Sequence, residues 1–364
     1  MKVVRFFIKS IFILLLIFSI LVFSSIIYLN QNIGESFKVK KGEILNFNTK
    51  LPVSAVFNKA EVNGSNPLLA VGEEYSVKLN LFGVIPFSTV NVEVVDEMHV
   101  AVIGTPFGMK IYTEGVLVID LTDIENGTKI INPAKKAGIK VGDYILSVNG
   151  IKITTNEDLS EIVEQSAGEE MHFLIMRDGK KIHINCSAVY SQESKSYKIG
   201  IWIRDSSAGI GMLTFYSPAT GIICGLGHGI SDEDTDILLE VDSGEIVTAE
   251  IISVEKGVSG TPGKLNARLD YKTLGDIMLN SECGVYSKLS GNIDMKSLVE
   301  VALKNEVKSG KAQIYAAIDS KTPKLFDCEV EIRNSAYNSL TQNMLITVTD
   351  KELLNLTGGI VQGL

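Results

Sequence analysis

Ile11 to Leu29 is a run of nineteen residues, IFILLLIFSILVFSSIIYL, with no charged side chain and only three serines. About 20 consecutive apolar residues let a helix cross the hydrocarbon of a bilayer, so this stretch is not an ordinary surface element of a globular domain. Lys2, Arg5 and Lys9 precede it, and residues 30–37 carry no Lys or Arg. That asymmetry predicts a cytoplasmic amino end and export of the chain beyond residue 30. A cleaved signal peptide has a shorter apolar region, roughly 7–15 residues, closed by a small-x-small site; Ser24-Ser25 is a poor version of such a site. The sequence therefore predicts a single-pass anchor with membrane lipid around residues 11–29.

The 364 residues leave room for two or three domains at roughly 100–200 residues each. A net charge of −9, with no cluster of Lys and Arg interleaved with aromatics, argues against a nucleic-acid partner, which needs a basic face. Cys186, Cys224, Cys283 and Cys328 are too widely spaced for a CxxC zinc pattern or a dense disulfide framework; they read as free, mostly buried thiols, with one disulfide left open by the spacing. No motif points to a cofactor.

Residues 1–30 read as the cytoplasmic end and anchor, and 31–102 as an exported β-rich segment. In the latter, Ser76–Leu81 and Thr89–Val94 alternate polar and apolar residues as strands do. From Ile103 the pattern sharpens. Gly115-Val116-Leu117-Val118-Ile119-Asp120-Leu121 reads as a strand. Asn132-Pro133-Ala134 opens a short helix, Gly142-Asp143 a turn, and Asn149-Gly150 a hairpin. Thr155-Asn156-Glu157-Asp158 starts a second helix with Leu159, Ile162 and Val163 on one face. At this spacing PA..AG...GD.I..VNG resembles a PDZ domain over 103–190. That resemblance implies a groove between strand Val116–Asp120 and helix Asn156–Gln165. There Gly115, Val116, Leu117, Val118, Leu159 and Val163 would receive an extended peptide, its carboxylate held by backbone N–H groups near Gly115.

Beyond the polar link at 191–198, many short β segments punctuated by glycine predict a barrel or sandwich. Helical periodicity is confined to Met295–Lys304 and Lys351–Leu356. His228 stands in Cys224-Gly225-Leu226-Gly227-His228-Gly229-Ile230, and imidazole is the default general base. A metal site is disfavoured. Asp232-x-Asp234-x-Asp236 starts like a calcium loop, but Ile237 and Ser243 replace its Gly and Glu, so it reads as a solvated acidic loop. His99, His172 and His183 complete no zinc set around His228. Gly257-Val258-Ser259-Gly260-Thr261-Pro262 has the G-x-S-G-x-P form that presents a peptidase serine. Ser259 lies too near His228 in sequence and precedes Asp350, the wrong order for the chymotrypsin-type arrangement, so it is a minor candidate nucleophile.

The anchor, the PDZ-like unit, Gly225–Ile230, Lys256-Gly257-x-x-Gly260-x-Pro262-Gly263 and Thr349-Asp350-x-x-Leu353-Leu354-x-x-Thr357-Gly358-Gly359-Ile360-Val361-Gln362-Gly363 come in an order that resembles the stage IV sporulation protein B family of exported serine peptidases. The resemblance implies His228 as general base and Asp350 as its orienting acid. It also implies a nucleophilic serine in a G-M-S-G-S-P motif directly after T-G-G-I-V-Q. Leu364 takes the place of the methionine, so the nucleophile is expected at the residue after it. By this resemblance 195–364 is a chymotrypsin-like double β-barrel lacking its last strands, and residues 1–364 alone are inactive. Implied too are self-cleavage of the amino-terminal segment and cleavage of a regulator of an intramembrane protease. These would serve sporulation signalling in the space between the forespore membranes. The alternative is a non-catalytic PDZ protein that binds peptides.

Overall fold

The structure, a computed structural model, describes residues 2–43, 49, 51–57, 71–127, 129–293, 298–304, 306–318, 322–333, 344–359 and 361–363. The chain divides into two compact units, one of Met1–Val100, Leu298–Ala312 and Cys328–Thr347, the other of Ala101–Ser297, Gln313–Asp327 and Val348–Leu364.

In the first unit α1 (Lys2–Asn32) contains the expected apolar helix, a candidate membrane span or signal sequence. Strands β1 (Ser36–Lys40), β2 (Val53–Phe57), β3 (Glu74–Leu81) and β4 (Ile85–Val95) form a sheet ordered β1-β4-β3-β2. Leu79, Leu81, Val90, Val92 and Val94 alternate along β3 and β4 and are buried, the one-sided pattern of a half-covered sheet. Their cover includes the end of α1, where Ile26, Leu29 and Ile33 pack on that face and Leu29 is fully buried. Buried Lys40 is neutralised by Glu300 and Glu306.

The second unit begins within β5 (His99–Val102). Then come β6 (Pro106–Leu121), the hairpin β7 (Ile124–Asn126) and β8 (Lys129–Ile131), α2 (Pro133–Ala137), β9 (Tyr144–Val148), β10 (Ile151–Lys152) and α3 (Asn156–Gln165). Next are β11 (Glu170–Arg177), β12 (Lys180–Ser187), β13 (Val189–Ser191), β14 (Ser196–Lys198), β15 (Ile201–Ser217), β16 (Ile222–Gly225), β17 (Ser243–Glu255), β18 (Gly263–Ser281) and β19 (Gly284–Leu289). The expected helix ends are built as the residue types demand. Asn132 accepts from Lys135 N at 2.8 Å and caps α2, and Thr155 and Asp158 form a reciprocal capping box on α3.

Antiparallel pairings β6–β17, β17–β18, β18–β19, β19–β16, β16–β15 and β15–β6 close a six-stranded barrel. Phe107, Met109 and Ile111, alternate residues of β6, fill it with Leu213, Ile223, Ile246 and Val285. The long strands β6 and β15 run on into the PDZ-like unit, whose core holds Val116, Val118, Ile145, Leu159, Val163 and Phe173. Thr113 Oγ1 donates to Gly115 O at 2.8 Å where the two regions meet.

The continuation of β17 and β18 covers a further apolar cluster of Met212, Leu265, Ala316, Phe326, Leu353 and Val361. No second closed ring forms among the described residues. After β20 (Leu298–Glu300), β21 (Gly310–Ala316), β22 (Lys324–Ile332) and β23 (Met344–Val348), the chain ends in α4 (Lys351–Thr357) and β24 (Val361–Gln362). The helix expected at Lys351–Leu356 is present, whereas Leu298–Glu300 is an exposed strand and not part of a helix over Met295–Lys304. Its apolar side chains have no buried face to repeat toward; residues 295–297 lie outside the described residues. No disulfide joins the four cysteines; Cys186, Cys224 and Cys328 are buried and Cys283 is exposed.

Candidate active site

His228 projects from the loop that leaves the barrel after β16, and it is exposed. The loop can run here because its glycines pass close to other backbone. A methyl on Gly229 would lie 2.6 Å from Ser281 O and 2.3 Å from Leu238 Cδ1, closer than any side chain tolerates. Nδ1 of His228 is 2.8 Å from Gly229 O. A carbonyl only accepts, so Nδ1 carries the proton and Nε2 the free lone pair, the tautomer a general base needs.

Asp350 follows β23 and caps α4, its Oδ1 accepting from Leu353 N at 3.0 Å. That N–H holds its carboxyl below the usual carboxylate value. No hydrogen bond joins Asp350 to His228 among the described residues. The segment after α4 docks on the barrel's long strands. Gly257 N donates to Thr357 O at 2.8 Å, and Val361 and Gln362 pair with Gly263 and Lys264. Gly363 approaches Ile210, where a methyl would lie 2.9 Å from the carbonyl oxygen. Ile210 adjoins Gly211, whose own methyl position is taken by Leu226, two residues before His228. Leu364 lies outside the described residues.

Ser259 is an exposed turn residue. Val258 and Thr261 exchange backbone hydrogen bonds at 2.9 Å, and Gly260 takes φ +85°, the left-handed corner that a type II turn requires. No hydrogen bond links Ser259 to His228. The turn thus accounts for the G-x-S-G-x-P form.

The acidic loop is exposed at Glu233, Asp234 and Asp236, as expected, and departs from the solvated reading at one residue. Asp232 is only 2% exposed, and its Oδ1 accepts from Asp234 N, Thr235 N and Thr235 Oγ1. Its Oδ2 sits 2.5 Å from Arg204 Nε, whose N–H is not aimed at it, so the contact is ionic and not a directed hydrogen bond. Spacing within the loop could not reveal a partner on β15. Among the described residues no group of three or more His, Cys, Asp or Glu is arranged to hold a metal ion.

The peptide groove also needs correcting. Gly115, Val116, Leu117 and Val118 are buried. Val116 and Leu117 pair with β9, while Val118 and Leu117 pair with Ile203 and Arg204 of β15. Leu117 and Val118 are therefore hydrogen-bonded on both edges, and the Cβ position at Gly115 is filled by Ile145 O at 2.3 Å. The chain itself adds β15 there on its return from β14, a pairing too remote in sequence for local pattern to show. Leu159 and Val163 do line a cavity of about 710 Å³, but its opposite wall is Ile199–Ile203. Strand Ile201–Ile203 pairs with β6 on one edge, and no described strand pairs with the other. Glu164 accepts from Tyr197 N at 2.7 Å and Asp205 from Asn156 N at 2.9 Å, bracketing the groove at both ends of α3.

Residues 195–364 match the SpoIVB peptidase S55 family and residues 132–177 match the PDZ domain family. A putative zinc metalloprotease of Mesorhizobium japonicum is 29% identical over 109 residues, which is 27% of this chain and 29% of that protein. The regulator of sigma-W protease RasP of Bacillus subtilis is 34% identical over 67 residues, 18% of this chain and 16% of its own. A probable periplasmic serine endoprotease DegP-like of Bartonella henselae is 41% identical over 69 residues, 19% and 14%. The chain spans less than a third of the length of each of these relatives. A β-rich unit whose residues match the S55 family, sharing two long strands with a PDZ-matching region and preceded in the chain by one apolar helix, is similar to a SpoIVB-like, PDZ-containing peptidase.

Proposed function

We propose that the protein is an anchored, exported serine endopeptidase in which His228 is the general base, Asp350 orients it, and the nucleophilic serine directly follows Leu364. The serine Oγ attacks the peptide carbonyl while Nε2 of His228 takes its proton. The imidazolium returns that proton to the leaving amine, and water then cleaves the acyl-enzyme by the same route. For Asp350 to act, Nδ1 must exchange Gly229 O for that carboxylate. The observation that carries the reading is the docking of Val361–Gly363 along β18 and against Ile210, on the barrel whose β15 also contacts Leu226. The extended substrate or a partner's tail binds along the open edge of Ile201–Ile203, opposite Leu159 and Val163.

The anchor remains attached with its amino end in the cytoplasm; the uncharged run from Ile11 to Leu29, longer than a signal peptide's apolar region and preceded by Lys2, Arg5 and Lys9, supports this. Self-cleavage, cleavage of a regulator of an intramembrane protease, and action between the forespore membranes during sporulation belong to this proposal on family resemblance. A second reading, a non-catalytic PDZ protein, is favoured by the lack of a hydrogen bond between His228 and Asp350.

The test uses a chain that includes the residue after Leu364. His228→Ala is expected to lower cleavage of an unstructured protein substrate by on the order of 10^4-fold or more. Asp350→Asn, which keeps the helix cap, is expected to lower it severely. Full activity in His228→Ala sinks the catalytic reading, and no cleavage by any form supports the binding protein.

A further inference from the structure

The residues that fix the loop opened by His228 do not belong to that loop. From Gly229 to Asp242 the chain leaves the barrel and returns to it at β17. Asn280 of β18 ties the base of this excursion. Its Nδ2 donates to Ile230 O at 2.8 Å and Leu239 O at 2.9 Å, and its Oδ1 accepts from Ile230 N at 2.9 Å. Ile230 and Leu239 then pack with Leu117, Tyr144 and Leu146 on the PDZ sheet. The tip is held by charge. Arg204 of β15 meets Asp232 through Nε and Asp234 through Nη2, the latter at 2.7 Å.

Asp232 is nearly sealed from solvent, so its charge is tolerable only while Arg204 faces it; removing one partner of a buried pair leaves the other charge uncompensated. Arg204 also occupies a particular place in the chain. It directly follows Ile201–Ile203, the strand with the open edge in the PDZ groove, and precedes Asp205, which accepts from the first residue of α3.

We propose that Arg204 is a positioning residue for His228, clamping the 229–242 loop to the strand that forms the peptide groove. It acts through Asp232 and Asp234 and touches no substrate. The conformation of the His228 loop is thereby set by the PDZ strand. The catalytic consequence rests on the reading of His228 as the base, but the clamp itself is read without activity.

Four histidines in the chain make the imidazole signals a clean probe. The full chain in detergent, with carbon-labelled histidine, is compared as wild type, Arg204→Ala, Arg204→Lys and Arg204→Ala/Asp232→Asn. Arg204→Ala is expected to shift or broaden His228 alone, leaving His99, His172 and His183 in place, and to speed amide exchange over 229–242 by about tenfold or more. Arg204→Lys should lie between, since a point charge replaces the two-pronged contact. Removing the orphaned charge in the double variant should restore most of the wild-type signal. An unchanged His228 signal and unchanged exchange in folded Arg204→Ala overturn the proposal. Should all four signals collapse in Arg204→Ala, the double variant decides: recovery supports the clamp, and no recovery overturns it. Activity in His228→Ala would refute the catalytic assignment while leaving these spectra to stand or fall separately.

Discussion

Gly225→Ala tests the foot of the His228 loop. Gly225 ends β16, and a methyl there would lie 2.3 Å from Cζ and 2.5 Å from Cε1 of Phe107, the fully buried ring at the centre of the barrel. Carbon atoms pack at about 3.5–4.0 Å, so ring or strand must move by roughly 1 Å. Overpacking of this kind costs about 1–3 kcal/mol, a roughly 5- to 150-fold rise in local opening. The assay is native-state hydrogen exchange of the Ile222–Gly225 amides, which reads local stability without assuming that the whole chain unfolds in one step. In a Phe107→Leu background the added methyl has room, so the cost should shrink by about 1 kcal/mol or more, a coupling expected of touching residues. A Gly225→Ala protein within about 0.5 kcal/mol of wild type, or an equal cost in both backgrounds, would refute the packing described here.

Three further outcomes are expected. Arg177→Ala strips the buried Asp143 carboxylate of its two-point partner at 2.6 and 2.7 Å, costing about 3–5 kcal/mol by thermal melting of the PDZ signals; recovery by Lys beyond half would contradict the bidentate account. Leu29→Ala should loosen exchange in β3 and β4 by the equivalent of about 2–5 kcal/mol, whereas Leu15→Ala, on the exposed part of α1, should leave those amides unchanged. Iodoacetamide at about pH 8 should modify Cys283 and spare Cys186 and Cys224, whose thiols burial pushes up to about 11. Because their folded values are raised, the stability these two thiols contribute is present below the unfolded value of 9.0 and is lost as pH rises through about 11; faster unfolding over that range in wild type than in Cys186→Ala/Cys224→Ala would show it.

Local chemistry was legible where it was locally determined. Asn132, Thr155 and Asp158 cap their helices because each bonds to backbone three residues away, and alternation in β3 and β4 follows from one covered face. What local pattern could not show was pairing over long separations. Leu117 pairs with both Tyr144 and Arg204, which moves the groove edge from Val116–Val118 to Ile201–Ile203. The same separation hid Arg204 from Asp232 and Asn280 from Ile230, so the one buried carboxylate, Asp232, reads in sequence as part of a solvated acidic loop. Around His228 the glycines pointed to close backbone approach, and Gly229 shows it; that Nδ1 of His228 meets Gly229 O and the Asp350 carboxylate meets Leu353 N carried no sequence signal.

The central claim is that His228 serves a nucleophile delivered directly after Val361–Gly363. Its most direct test is mass-spectrometric mapping of the adduct formed by a fluorophosphonate probe on a chain that includes the residue after Leu364. The account predicts one adduct at that residue, lost in His228→Ala, and none within residues 1–364. An adduct on Ser259, lost in Ser259→Ala, would contradict it.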